Sequence, residues 1–263
     1  MCIKSISLYK KTHQKMIQRE LFTAPLLRES QYVVIVSDWF VSWSSPLSAC
    51  LVMEFCNANL SEFLYSTRLK KSTLFPVTQL ATLVYHISEA LIHLENIGLV
   101  HRDINTSNIL MKAENTEWAW KLADFGSSCI STESTSDGFC GTIPTASPEA
   151  LKVQPLSSQS DIWSFGCVIW ECVTLARPFK CVSLLEFQRS SKLPGEFPID
   201  RYLVSPTRCV PNGSLYSKIL KFVRKTMLVA NHQMRASSRE LHSAWNTQQC
   251  GSHLDKVRSP GAK

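Results

Sequence analysis

His101-Arg102-Asp103-Ile104-Asn105-Thr106-Ser107-Asn108, followed by Asp124-Phe125-Gly126, is the stretch on which the reading of this chain turns. Between the two blocks, Ile109-Leu110-Met111 and Trp120-Lys121-Leu122 flank the polar run Ala113-Glu114-Asn115-Thr116-Glu117, a pattern of two short strands joined by a turn. Such a hairpin returns the chain to its starting point and brings Asp103, Asn108 and Asp124 together. A carboxylate beside an amide and a second carboxylate can orient a hydroxyl and hold a hard divalent cation. One polar motif in a turn is ordinarily just a turn; two in order, with further matches on both sides, are not.

Working outward, the composition excludes several classes. With 263 residues, 44% hydrophobic and 19% charged, the chain can bury a sizeable core. Its longest apolar run, near Tyr32 to Val36, is far too short to cross a bilayer, and the start Lys4-Ser5-Ile6-Ser7-Leu8-Tyr9-Lys10-Lys11 lacks the form of a signal peptide. A cytoplasmic or nuclear location without membrane association is expected. The ten cysteines form no C-x-x-C pair, and Cys50, Cys56, Cys167 and Cys172 lie in apolar runs, where thiols pack as small hydrophobes. The net charge of +7 includes only short basic pairs, Lys10-Lys11 and Lys70-Lys71. Without a basic stripe interleaved with aromatics, it reads as a solvated surface and not as a nucleic-acid interface.

Helical periodicity appears at Leu80, Leu83, Val84, Ile87, Leu91 and Leu94, a long amphipathic helix ending near Gly98 whose stripe belongs to the core. A second apolar set, Ile162, Phe165, Ile169 and Cys172, follows Ser160-Asp161, and a third is Ile219, Leu220 and Val223. From Asp124 to Glu149 the chain is rich in Ser, Thr and Gly, as in a mobile segment.

These blocks resemble the protein kinase superfamily, and the resemblance runs from Met1 to about Trp245. It implies a two-lobed α+β fold: a reduced β-rich small lobe over 1–55, a mostly helical large lobe with catalytic loop and activation segment over 56–246, and a polar tail over 247–263. It implies ATP and Mg2+ as cofactors, with Asp103 accepting or orienting the substrate hydroxyl proton and Asn108 and Asp124 as metal ligands. Lys4, in Met1-Cys2-Ile3-Lys4, resembles the strand lysine that meets the α and β phosphates, and Glu20 the helix glutamate that pairs with it; the alternative for Lys4 is an exposed lysine near the chain start. Cys50-Leu51-Val52-Met53-Glu54-Phe55-Cys56 resembles the fifth strand and hinge, with Met53 lining the rear of the pocket and backbone groups of Glu54 and Cys56 meeting adenine.

By the same resemblance, Cys140-Gly141-Thr142 through Pro148-Glu149 closes the activation segment, with Thr142 touching Asp103. Asp161 would fix the catalytic loop, and Arg235 would pair with Glu149. Arg102 would meet a phosphate on Ser131, Thr132, Ser134, Thr135 or Ser136, although the position that most often carries it falls at Gly138 beside Asp137.

The departures are as informative. Nothing matches the glycine-rich loop, so the sequence is expected to begin inside the small lobe, with the Lys4 strand left as a sheet edge. Asn105 stands where serine/threonine kinases usually carry a lysine; it brings no charge, but some dual-specificity members have Asn there. Thr145, Ser147 and Ala236 replace the usual Tyr, Ala and Pro. Ala24, where a larger apolar residue packs toward Phe125, and Pro25 should loosen the helix carrying Glu20. The expected function is phosphorylation of protein serine or threonine, with a protein substrate and a regulatory protein partner. The alternative is a pseudokinase or scaffold that binds a partner without turnover.

Overall fold

Alternation of half-buried and exposed residues from Cys2 to Ile6 sets the first element, strand β1 (Cys2–Ser7), in which Cys2 and Lys4 turn inward and Ile3 and Ser5 outward. The computed structural model describes residues 1–69, 74–114, 117–131, 139–179, 199, 203–204 and 210–247. Helix α1 (Lys11–Thr23) follows, then strands β2 (Val36–Ser42) and β3 (Ser48–Met53). The three strands form an antiparallel sheet in the order β1-β3-β2, with Lys4 opposite Leu51 and Cys2 opposite Met53. As expected, the Lys4 strand lies at the edge.

Helix α1 stops at Thr23, whose hydroxyl donates back to the carbonyl of Arg19 at 2.9 Å. Pro25 has no N–H to continue the ladder, and Ala24–Leu27 tighten into a 3-10 turn that buries Leu27. The apolar run that starts at Tyr32 becomes a regular strand only at Val36. The preceding residues serve another partner: Leu122 N–H donates to the Tyr32 carbonyl and Val34 N–H to the Leu122 carbonyl, both at 2.8 Å. This stretch therefore joins the small lobe to the hairpin before Asp124.

The large lobe opens with β4 (Ala58–Asn59) and α2 (Leu60–Leu69). Asn59 Oδ1 accepts the Glu62 amide and Glu62 accepts the Asn59 amide, a reciprocal cap for α2. Helix α3 (Val77–Asn96) buries all six residues of its predicted stripe, and Gly98, at φ +67°, turns the chain into β5 (Leu99–Val100). The hairpin is β6 (Ile109–Glu114) with β7 (Glu117–Leu122), joined by β4 in one sheet, while β5 pairs with β8 (Cys129–Ile130).

After α4 (Pro148–Leu151), α5 (Ser158–Thr174) runs through the core with nearly every residue buried, as befits a helix apolar all round. Gly166 lets it approach its neighbours: an added Cβ would lie 2.9 Å from Met227. Helices α6 (Leu215–Thr226) and α7 (Ser238–Thr247) close the lobe. The architecture is the expected two-lobed α+β fold. No helix among the described residues is long and apolar enough to cross a membrane. Thr132 to Gly138, Lys70-Lys71 and the tail beyond 247 lie outside the described residues.

Candidate active site

The loop between β5 and β6 is shaped from below by α5. Asp161, fully buried, accepts the amides of His101 at 2.7 Å and Arg102 at 3.0 Å, holding Arg102 at φ +68°. Burial pushes the Asp161 carboxyl above its usual range, against the pull of His101 and Arg102. His101 Nδ1 accepts the Asp103 amide at 3.2 Å, which assigns the ring proton to Nε2, 3.0 Å from the Ala123 carbonyl. The same ring meets Phe125 edge-on at 4.7 Å. The His101–Asn108 block and the Asp124-Phe125-Gly126 block are thus tied by one imidazole, and Ala123 N–H to the Asn108 carbonyl at 2.9 Å adds a second tie.

Asp103 is held from three sides. Thr142 Oγ1 donates to Oδ1 at 2.7 Å, Asn105 Nδ2 to Oδ1 at 3.0 Å, and Asn108 Nδ2 to Oδ2 at 3.2 Å. Asn105 works inside the loop: Nδ2 also reaches the Asp103 carbonyl and Thr142 Oγ1, and Oδ1 accepts the amides of Ser107 at 2.8 Å and Asn108 at 3.2 Å. Its side chain is engaged within the loop and is only 9% exposed. Gly141, at φ +106°, lets Thr142 come this close, because a Cβ there would sit 2.4 Å from the Arg102 carbonyl oxygen.

Across the cleft, Lys4 Nζ lies 2.5 Å from Glu20 Oε1 and 2.9 Å from Asp124 Oδ1. Burial disfavours the Lys4 charge, but the two carboxylates outweigh it and raise its pKa. Burial likewise opposes ionisation of Asp124, where Lys4 prevails and lowers the pKa; at Glu20 burial prevails and raises it. Helix α1 brings Glu20 here by packing Met16 on Gly126. Its opposite face borders a cavity of about 350 Å³ lined by residues including Gln18, Phe22, Leu99 and Ile130.

The donor set suits a hard cation. Asn108 turns its nitrogen to Asp103, leaving Oδ1 without a protein partner among the described residues, and the Asp124 carboxylate is partly open to solvent. No group of three or more His, Cys, Asp or Glu assembles a metal centre among the described residues.

The Cys50–Cys56 stretch carries a feature that the sequence reading missed. Glu54 receives Lys112 at 2.8 Å and Lys121 at 3.0 Å, together with the Ile35 amide at 3.2 Å. Burial works against the Glu54 charge, but the two lysines hold its pKa below the usual carboxylate range. Lys121 was legible as a lysine inside an apolar strand, yet its partner is distant in sequence. The Glu54 N–H points to the Ile35 carbonyl at 3.4 Å, and the Glu54 carbonyl accepts the Cys2 thiol at 3.4 Å. Met53 ends β3, half-buried. Cys56 follows as a free thiol, its pKa pushed up to about 11 by burial, with the neighbouring Glu54 charge adding.

Arg235 and Glu149 form a buried pair at 2.7 Å. Arg235 also donates to the carbonyls of Gln159 and Val229 and lies over the Trp163 ring, and Ser160 donates to Glu149 at 2.8 Å. Arg102 donates through Nε to the Ser127 carbonyl, while its Nη2 is buried without a partner among the described residues.

This fold, with a lysine held between helix and loop carboxylates above a hydrogen-bonded Asp-Asn loop, defines a protein kinase domain. The chain belongs to that family, whose model, Protein kinase domain, matches residues 1–245. It is 35% identical over 155 residues to "Mitogen-activated protein kinase kinase kinase dlk-1" of Caenorhabditis elegans, covering 58% of this chain and 16% of that protein. To "Mitogen-activated protein kinase kinase kinase 12" of Rattus norvegicus it is 35% identical over 162 residues, 59% of this chain and 17% of the relative. To "Serine/threonine/tyrosine-protein kinase HT1" of Arabidopsis thaliana it is 30% identical over 147 residues, 55% and 36% respectively. The matches therefore span well under half the length of these relatives.

Proposed function

We propose that this chain transfers the γ-phosphate of ATP to serine or threonine hydroxyls of a protein, with Mg2+ as the metal. The observation that carries the reading is the orientation of Asp103 by three donors from Thr142, Asn105 and Asn108. A carboxylate so held presents fixed lone pairs to an incoming hydroxyl and lowers the cost of aligning it for in-line transfer. Asn108 and Asp124 hold the metal, which neutralises phosphate charge when bound. Lys4, kept cationic by Glu20 and Asp124, meets the nucleotide phosphates; Met53, Glu54 and Cys56 border the base.

Two of the relatives are named as kinases of kinase kinases, which supports a protein acceptor. The unpaired Nη2 of Arg102 supports a phosphate-dependent activation segment. The small lobe takes residues 1–55 and the large lobe 56–246 in this reading.

A second reading, a scaffold that binds a partner without turnover, draws on Asn105: an uncharged residue stands two positions after the acceptor, and its amide is engaged within the loop. Thermal melting with and without Mg-ATP, followed by radiolabel transfer to protein substrates in wild type and Asp103→Asn, separates the two. Transfer that falls at least about 100-fold in the variant supports the enzyme. Binding without transfer in either protein supports the scaffold, and undiminished transfer in the variant removes the role of Asp103.

A further inference from the structure

We propose that Cys2 is a specificity-determining residue of the nucleotide cleft, acting as a thiol donor that competes with the amino group of the base for the carbonyl of Glu54. The inference rests on the nucleotide reading above and adds to it what the base must displace. Cys2 and Lys4 stand two residues apart on β1, so their side chains leave the same face, roughly 7 Å apart along the strand. That face is the half-buried one that carries Lys4 to Glu20 and Asp124, whereas the intervening Ile3 is 60% exposed on the other. Lys4 thereby marks the phosphate end of the cleft roof and Cys2 the base end.

The acceptor is fixed. Glu54 lies one residue beyond the ladder, whose last pair is Cys2 with Met53, so no strand neighbour takes its carbonyl. Its side chain is clamped by Lys112 and Lys121 and its N–H is directed to Ile35, which holds the peptide with its carbonyl oxygen toward Cys2. The Cys2 Sγ lies 3.4 Å from that oxygen. A thiol is a weak donor, so an amine displaces it at modest cost; a base without an amine meets no competition for this carbonyl. The thiol thus taxes adenine selectively and flattens the preference for an amino-substituted purine.

The test is direct binding by calorimetry, under reducing conditions with Mg2+, of ATP and of purine riboside triphosphate, the analogue carrying hydrogen in place of the 6-amino group. Wild type is compared with Cys2→Ala, which removes the donor, and Cys2→Val, which removes it while keeping bulk. The expected result is that both substitutions tighten ATP roughly two- to fivefold relative to the analogue. An unchanged ratio of the two affinities in both variants overturns the role of Cys2 and leaves the nucleotide reading standing. A ratio that shifts in Ala but not in Val assigns the effect to volume and also overturns it. Absence of binding of either nucleotide to wild type and both variants overturns the nucleotide reading together with this one.

Discussion

Gly141 and His86 show how single positions carry consequences out of proportion to their size. At Gly141 both the positive φ and the Arg102 carbonyl oxygen, which an added Cβ would clash with, exclude a side chain. Gly141→Ala is therefore expected to displace Thr142 from Asp103, cost roughly 2 kcal/mol in urea denaturation, and abolish label transfer. His86 is a neutral acceptor: its Nδ1 takes the Trp120 amide at 3.0 Å and its ring stacks on Tyr32 at 4.2 Å. Burial, with the charge of Lys121 adding, pushes its pKa down to about 4. Since an unfolded histidine takes up its proton near pH 6.5, the stabilisation is complete above that pH. It declines as pH falls toward about 4, reaching a loss on the order of 3 kcal/mol. Denaturation midpoints at pH 7 and pH 5 should show this slope in wild type and its absence in His86→Gln.

Between elements, the decisive contacts join parts that no local rule pairs. The hairpin β6–β7 reaches the Glu54 carboxylate through Lys112 and Lys121, and Lys121 is almost fully buried. Removing Glu54 leaves a buried ammonium without its partner, so Glu54→Gln is expected to destabilise the fold by roughly 3 kcal/mol. Removing both charges in Glu54→Gln/Lys121→Met should restore at least half of that, because a buried pair contributes little beyond its own desolvation. A double-mutant cycle by urea denaturation measures both numbers. Helix α1 is held differently: one face packs on the Phe125–Ser127 turn, and the other borders a cavity. Its position depends on Lys4 and Glu20, and Glu20→Gln should weaken Mg-ATP binding more than it lowers the melting temperature.

Across the whole molecule, Arg235 and Glu149 tie α4 to α5 and the chain before α7. Every nitrogen of Arg235 has a partner, and the pair is out of contact with water. Arg235→Ala is expected to cost about 3 to 5 kcal/mol, and Arg235→Lys to recover little of it because an ammonium cannot reproduce the two-pronged contact. Burial alone would raise the Glu149 pKa, but Arg235 dominates and lowers it. This stabilisation is present above the ordinary carboxylate pKa and lost as pH falls through the depressed one, adding an acid limb below that of His86.

The motifs around Asp103 and Asp124, and the stripes of α3 and α5, were legible because hydrogen-bond chemistry and helical periodicity are written in residues close together along the chain. The Lys4–Glu20 pairing could be anticipated only through resemblance, since nothing local connects a strand lysine to a helix glutamate. Three-dimensional packing alone decided that Tyr32–Val34 would bond to Leu122 and not begin β2, that Asn105 would turn inward, and that Glu54 would gather two lysines while its carbonyl met Cys2. In each case a polar group removed from water must find a partner, and which partner lies within reach depends on how the lobes pack, not on the spacing of residues in sequence.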